Sequence, residues 1–221
     1  SGMNLMQPPS ISQTGEASLS YPFEIPAGRK GMQPQLSLSY NSEGGSSWAG
    51  YGWNIGVPSI SVDTKWGVPE YDSQIQTESY TMNGEPLFEE NEYNEQASSQ
   101  GGRRANREVY NRSSGDVRYF ERTRTGYKDL IRKGTGPDDY VWIEQDASGT
   151  RFFYGTYDGS TVAANAVLRK QKNAASDIAE WKLCKIIDVW GNYVEYHYAR
   201  TDVSNAGSME DGAQQIVLDY I

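Results

Sequence analysis

A chain of 221 residues has room for one large domain or two small ones. It is 37% hydrophobic and 12% aromatic, with 16 Tyr and 6 Trp against 5 Phe, too rich in rings for a disordered segment. Its 23 Gly show no triplet period, which excludes collagen, and no apolar run approaches the ~20 residues of a membrane helix. The balance of 20 basic and 29 acidic residues, net −9, argues against nucleic acid and anionic membranes as partners.

Ser1-Gly2 reads as a cloning scar and residues 1–15 as a tail, with neither the basic nor the apolar region of a signal peptide. From there the signal is a period of two, the mark of half-buried strands. Ala17, Leu19, Tyr21, Phe23 and Ile25 alternate, and Leu36, Leu38 and Tyr40 alternate again after a turn containing Gly28 and Gly31, which predicts a hairpin. Residues 41–52 are rich in Gly and Ser, yet Trp48, Tyr51 and the following Trp53 predict a folded loop turned by Gly50 and Gly52. A strand follows at Ile60–Val62. The run Ser79–Met82, the pair Asn83-Gly84 and Pro86–Phe88 then form a hairpin of the type that tolerates positive φ at both turn residues.

Residues 89–107 have no apolar period, with Glu89, Glu90, Glu92 and Glu95 at one end and Arg103, Arg104 and Arg107 at the other, and are expected to be a mobile surface loop. Strands resume from Val117, at Tyr140–Ile143 and at Arg151–Tyr154. The Ala-rich stretch that follows offers one short helix, within Asn173–Glu180. Trp181–Ile187, the turn Asp188–Asn192 (with Trp190, Gly191 and Asn192) and Tyr193–Tyr198 form another hairpin. The terminal run Ile216–Ile221 has no evident partner, the pattern of a piece cut from a longer protein. The fold class is all-β: antiparallel multi-hairpin sheets, a sandwich-like or shell-forming meander with at most one short helix.

The order of residues from Tyr21 to Ser42, with Pro26, Gly28, Arg29, Gly31, Gln33-Pro34 and Leu36–Ser42, followed by Gly50-Tyr51-Gly52-Trp53, resembles the opening of SpvB-type N-terminal domains. Such domains begin virulence proteins of this type and the B components of insecticidal toxin complexes. Tyr80–Gly84, Trp142 with Ser148-Gly149 and Tyr154-Gly155, and Trp181–Tyr198 resemble later stretches of the family, the last also resembling Rhs Tyr-Asp repeats. Two departures are the lack of an Arg within Ser59–Asp63 and the charged segment 89–107, which looks like an insertion. The resemblance covers residues 16–221 as one β domain of a longer, secreted or surface-exposed bacterial polypeptide. It implies a non-catalytic structural or delivery module, partnered by downstream domains and other toxin-complex subunits, without a cofactor.

Tyr40, Trp48, Trp53, Trp142, Trp181 and Trp190 are the expected structural anchors, and planar rings on the surface make carbohydrate binding the alternative reading. A Ser-His or Cys-His nucleophile would have to use His197 or Cys184, both read as structural. Zinc lacks its ligand set; calcium would need oxygens from Asp138, Asp139, Asp146, Asp158 or the Glu89–Glu95 cluster, which lack an EF-hand spacing. Arg118, Phe120, Arg122 and Arg124 share one strand face and read as solvated. Asn111-Arg112-Ser113 is a glycosylation sequon of consequence only in a glycosylating host.

Overall fold

Period-two alternation becomes strand over most of the chain. The structure, a computed structural model, describes residues 10–11, 17–34, 36–42, 45–47, 49–65, 67–90, 110–113, 115–121, 126–170, 176–202 and 214–221. Two compact units divide it, Ser1–Val57 and Pro58–Ile221.

The first unit holds β1 (Ser10–Ile11), β2 (Ala17–Pro22), β3 (Ser37–Asn41), β4 (Ser46–Ser47), β5 (Gly50–Tyr51) and β6 (Trp53–Ile55). β1, β2, β3 and β6 form an antiparallel sheet in that order, and β4 pairs with β5. Register sets Leu19 opposite Tyr40, Tyr21 opposite Leu38, Leu38 opposite Ile55 and Tyr40 opposite Trp53, so three strands share an apolar face. β2 ends at Pro22, short of the Ile25 expected, although the Phe23 amide just beyond it still donates to the Leu36 carbonyl at 2.9 Å. The Phe23 side chain is exposed.

The second unit holds β7 (Ser59–Val62), β8 (Ile75–Gln76), β9 (Tyr80–Met82), β10 (Glu85–Glu89), β11 (Tyr110–Asn111), β12 (Val117–Glu121), β13 (Lys128–Lys133), β14 (Val141–Asp146), β15 (Arg151–Tyr154), β16 (Val167–Arg169), β17 (Ile178–Ile187), β18 (Tyr193–Glu195), β19 (His197–Asp202) and β20 (Gln214–Tyr220). Antiparallel pairing runs from β7 through β9, β10, β12, β13, β14 and β15 to β17, which returns to pair with β7. Eight strands thus close into an up-and-down barrel, the arrangement that removes sheet edges. β17, at 10 residues, is long enough to pair also with β16 and β18. β8 and β11 form a separate short ribbon, as do β19 and β20.

Inward positions alternate with outward ones around the ring. Ile60, Tyr80, Met82, Leu87, Tyr119, Leu130, Trp142, Tyr154, Trp181 and Leu183 are all buried there. Eight strands leave an interior that side chains just fill. At its centre the Trp142 ring meets Tyr80, Tyr119 and Trp181 edge-on, with centroids 4.9, 5.0 and 5.8 Å away, within the spacing aromatic pairs prefer.

Three expectations need correction. Ile178–Glu180, assigned to a helix, begin β17 instead. Ile178 is fully buried and its amide donates to the Pro137 carbonyl, so barrel packing overrides the local helix preference; residues 173–175 lie outside the described ones. Tyr193–Tyr198 is two strands, broken at Tyr196, whose amide turns to the Cys184 carbonyl. The terminal run does have a partner: β20 pairs with β19, Ile216 opposite Arg200.

Candidate functional site

The barrel interior gathers most of the buried polar groups among the described residues, and its two ends differ. At one end the inward residues of β13 and β12 are Arg132 and Tyr119, and the β8 ribbon inserts Gln76 between them. Arg132, with no exposed surface, donates through Nη1 to Tyr119 Oη (2.8 Å), Gln76 Oε1 (3.0 Å) and Tyr80 Oη (3.2 Å). Its guanidinium carbon lies 4.1 Å from the Tyr140 ring centroid, a cation–π contact. Tyr119 Oη and Gln76 Nε2 both donate to the buried Glu89 carboxylate, at 3.4 and 3.3 Å. Burial works against the charge on Arg132, but the phenol oxygens of Tyr80, Tyr119 and Tyr140 outweigh it and hold its pKa above the ordinary value. Arg132 Nε and Nη2 and Trp142 Nε1 find no acceptor among the described residues.

Arg112, beside β11, fastens this ribbon. It donates to both Glu78 oxygens (2.8 and 3.0 Å), to the Asp72 carbonyl and to Tyr140 Oη (3.1 Å). Burial again opposes the charge, while the bonds to Glu78 and Tyr140 more than restore it. Desolvation raises Tyr80 and Tyr119 well above the usual phenol range, so both are neutral at any ordinary pH.

At the opposite end, a cavity of about 260 Å³ opens beside the β12–β13 hairpin. Met82, Tyr119, Glu121, Lys128, Leu130 and Glu144 reach it from the inner face, and Glu90, Arg118, Phe120 and Asp129 from the outer. Lys128 Nζ lies 3.3 Å from both Glu121 Oε1 and Glu144 Oε1. Burial costs that ammonium some charge, but Glu144 and Glu121 outweigh it and its pKa is raised. Tyr154 donates to Glu144 Oε2 at 2.9 Å, and burial followed by the Glu144 charge pushes the phenol pKa well up.

The residues singled out from sequence are dispersed. Trp142 and Trp181 are buried in the barrel, Trp181 Nε1 donating to the Tyr140 carbonyl at 2.6 Å. Tyr40 and Trp53 face each other in the first unit with centroids 5.0 Å apart. Trp48 lies outside the described residues. Trp190 corrects its assignment as an anchor: it is 68% exposed on its turn, beside the exposed Val189 and near the exposed Tyr193. Asp188 Oδ1 accepts the amides of Trp190 and Asn192 and closes the turn.

Gly28 and Gly31 border a one-turn 3-10 segment, Arg29–Gly31; Gly50 opens β5; Asn83 and Gly84 join β9 to β10 with φ of 51° and 88°; Gly191 closes the Asp188 turn. Gly52 explains the Gly-x-Gly-Trp motif. Its φ is +77°, and a Cβ there would lie 2.7 Å from both the Asn41 carbonyl and the Tyr40 ring.

Cys184 is buried, and desolvation pushes its thiol up to about 12. His197 stacks on Tyr157 and Tyr220 and lies 3.5 Å from Glu195. No hydrogen bond joins Cys184 to His197 among the described residues. Asp139, Asp146 and Asp158 each accept amides of their own turns, and no three His, Cys, Asp or Glu side chains among the described residues converge as metal ligands. Asp138, next to Asp139 in the chain, is exposed. Glu89, expected in a mobile loop, ends β10 and points inward; 91–107 lie outside the described residues. Arg118 pairs with Asp129 at 2.7 Å and Phe120 stacks on Phe88, while Arg122 and Arg124 lie outside.

Arg132, Gln76, Arg112, Glu78, Lys128 and Glu144 were not among the candidates. Lys128, Leu130 and Arg132 do share one parity, so an inward polar position was available as a signal, but only once β13 is recognised as a strand.

The family described as the Salmonella virulence plasmid 65kDa B protein, SpvB, matches residues 11–216. The mono(ADP-ribosyl)transferase SpvB of Salmonella choleraesuis (strain SC-B67) is 28% identical over 239 residues, covering 98% of this chain and 37% of its own length. The same enzyme of Salmonella enteritidis is 29% identical over 227 residues, with coverage of 96% and 35%. The chain thus spans little more than a third of these curated relatives. The solved N-terminal domain of effector protein SpvB from Salmonella typhimurium strain LT2 superposes with a TM-score of 0.63 at 23% identity, over 90% of this chain and 61% of that one. A TcdB2-TccC3-TEV crystal structure gives 0.66 at 23%, over 97% and 10%. At such identities these two establish a shared fold. No helix among the described residues is long and apolar enough to cross a membrane. Together with the motif order from Tyr21 to Trp53, the match over residues 11–216 places this chain in the SpvB family.

Proposed function

We propose that the chain is a non-catalytic structural or delivery module of a larger bacterial toxin or effector, secreted or displayed at the cell surface. In this reading its barrel forms part of a β scaffold that carries a C-terminal effector, with downstream domains and other toxin-complex subunits as partners. The observation that carries it is the barrel interior. Its polar side chains hold one another, with Arg132, Gln76, Tyr119 and Glu89 at one end and Glu144 and Tyr154 at the other, while Cys184 is kept protonated. A nucleophile with an adjacent base, the requirement for covalent catalysis, is not assembled around Cys184 or His197 among the described residues. The ADP-ribosyltransferase activity named for the relatives belongs, on this reading, to the part of their length that this chain does not cover.

The test is to assay the purified chain for NAD hydrolysis and for ADP-ribose transfer to a cell lysate, alongside a full-length relative. Activity in the relative and none in the chain supports the module; transfer by the chain alone overturns it.

Carbohydrate binding remains a second reading because Trp190 and Tyr193 are 68% and 60% exposed. Saturable glycan binding lost in Trp190→Ala would favour it over the scaffold.

A further inference from the structure

Arg132 is a buried cation whose hydrogen bonds all leave from one nitrogen. Nη1 donates to Tyr119 Oη, Gln76 Oε1 and Tyr80 Oη, while Nε and Nη2 find no acceptor among the described residues. Nε and Nη2 form the edge of the guanidinium that grips anions side-on with two parallel bonds. The residue has no exposed surface, so solvent outside the barrel does not reach that edge. A charged donor buried without an acceptor is costly.

Trp142 supplies a second orphan from another strand. It stands directly opposite Arg132 in the β13–β14 register, it is also fully buried, and its Nε1 likewise lacks an acceptor among the described residues. Tyr80 and Tyr119 flank both groups. Their ring centroids lie 4.9 and 5.0 Å from that of Trp142, and 5.6 and 5.3 Å from the guanidinium carbon. Arg132 and Trp142 therefore share one layer of the interior, and the orphans in that layer are all donors.

Charge points the same way. The oxygens that Arg132 reaches belong to phenols and an amide, not to carboxylates. Glu78 is held by Arg112, and Glu89 is joined to Arg132 through Tyr119 and Gln76, on the Nη1 side. A bound water would accept some of the orphan hydrogens, but it must also place two of its own. A monatomic anion accepts from all the orphans and brings the countercharge that a buried cation requires.

We propose that the barrel interior holds a small monovalent anion of halide size, bound by Arg132 Nε and Nη2 and by Trp142 Nε1. Full burial selects a lone ion over a phosphate ester or a peptide carboxylate, whose remainder would need a way out. The site goes beyond the scaffold reading and does not depend on it.

Bromide-soaked crystals of the chain, and thermal unfolding with chloride exchanged for gluconate at fixed ionic strength, test it. An anomalous bromide peak is expected beside Arg132 and Trp142. The unfolding midpoint should rise by about 3–5 °C for each tenfold increase in chloride above the dissociation constant; fixed ionic strength removes general screening from the comparison. Arg132→Met should abolish the chloride dependence. Trp142→Phe, which keeps a ring but loses the indole hydrogen, should weaken the apparent chloride affinity several-fold, and it decides the matter if Arg132→Met fails to fold. Density at the site without a bromide signal identifies a water and overturns the proposal. So does a midpoint equal in chloride and gluconate, or a chloride dependence unchanged in the variants that fold.

Discussion

Arg112 grips both carboxylate oxygens of Glu78, at 2.8 and 3.0 Å, where their side chains are 3% and 0% exposed. The pair ties the β8–β11 ribbon to the end of the barrel, with Tyr140 and the Asp72 carbonyl taking the other guanidinium hydrogens. Removing one partner leaves the other charged and buried. Arg112→Ala and Glu78→Gln are therefore each expected to cost about 3–5 kcal/mol in urea unfolding, whereas the double replacement Arg112→Met with Glu78→Leu recovers most of it. A loss under about 1 kcal/mol in either single variant would show that the pair contributes little.

Trp142 and Trp190 make a matched test of burial. Trp142→Ala empties the centre of the barrel and should cost about 3–5 kcal/mol. Trp190→Ala changes an exposed side chain and should stay within about 0.5 kcal/mol. Thermal unfolding of the two variants side by side decides it, and a Trp190 variant as unstable as the Trp142 one would restore the anchor role.

Gly155 follows β15 with φ of +70°, and a Cβ there would lie 2.4 Å from the Trp181 ring. Both the backbone conformation and the indole oppose a side chain. Gly155→Ala is expected to lose about 2–4 kcal/mol through overpacking and left-handed strain together. Ala at Gly126, also at positive φ but with open space around it, should lose only the backbone share, about 1–2 kcal/mol. Similar losses at both sites would mean that the Trp181 contact does not matter.

The thiol of Cys184 and the phenols of Tyr71 and Tyr196 all have folded-state pKa values raised by burial, each to about 12. A raised folded pKa means that the neutral form is favoured in the native state. The contribution to stability is whole below the unfolded values, about 8.5 for Cys and 10 for Tyr. It falls as pH climbs from there towards about 12. Stability should thus decline above about pH 9. At pH 8 Cys184 should react with a thiol reagent only after denaturant is added. Stoichiometric labelling of the native protein would contradict its burial.

The period of two at Ala17–Tyr21, Leu36–Tyr40 and Ile60–Val62, and the Asn83-Gly84 turn, are local signals, and the strands and hairpin they predict are present. What escaped prediction depends on partners far along the chain. Ile178–Glu180 read as helix because nothing nearby shows that Ile178 fills a barrel. Lys128 and Arg132 read as surface charge because their inward parity matters only when β13 lies between β12 and β14. Trp190 read as an anchor because an indole beside a turn looks alike whether the turn packs inward or outward.

By itself the sequence determined that this is an aromatic-rich, antiparallel all-β chain with the ordered opening of the SpvB family. Backbone alternation and turn chemistry act between residues a few positions apart. Only the tertiary structure decided that the meander closes, because the pairing of β17 with both β7 and β15 joins segments more than a hundred residues apart at one side. Closure then converts Arg132, Gln76, Glu89 and Glu144 from polar residues in a polar chain into buried groups that must satisfy one another.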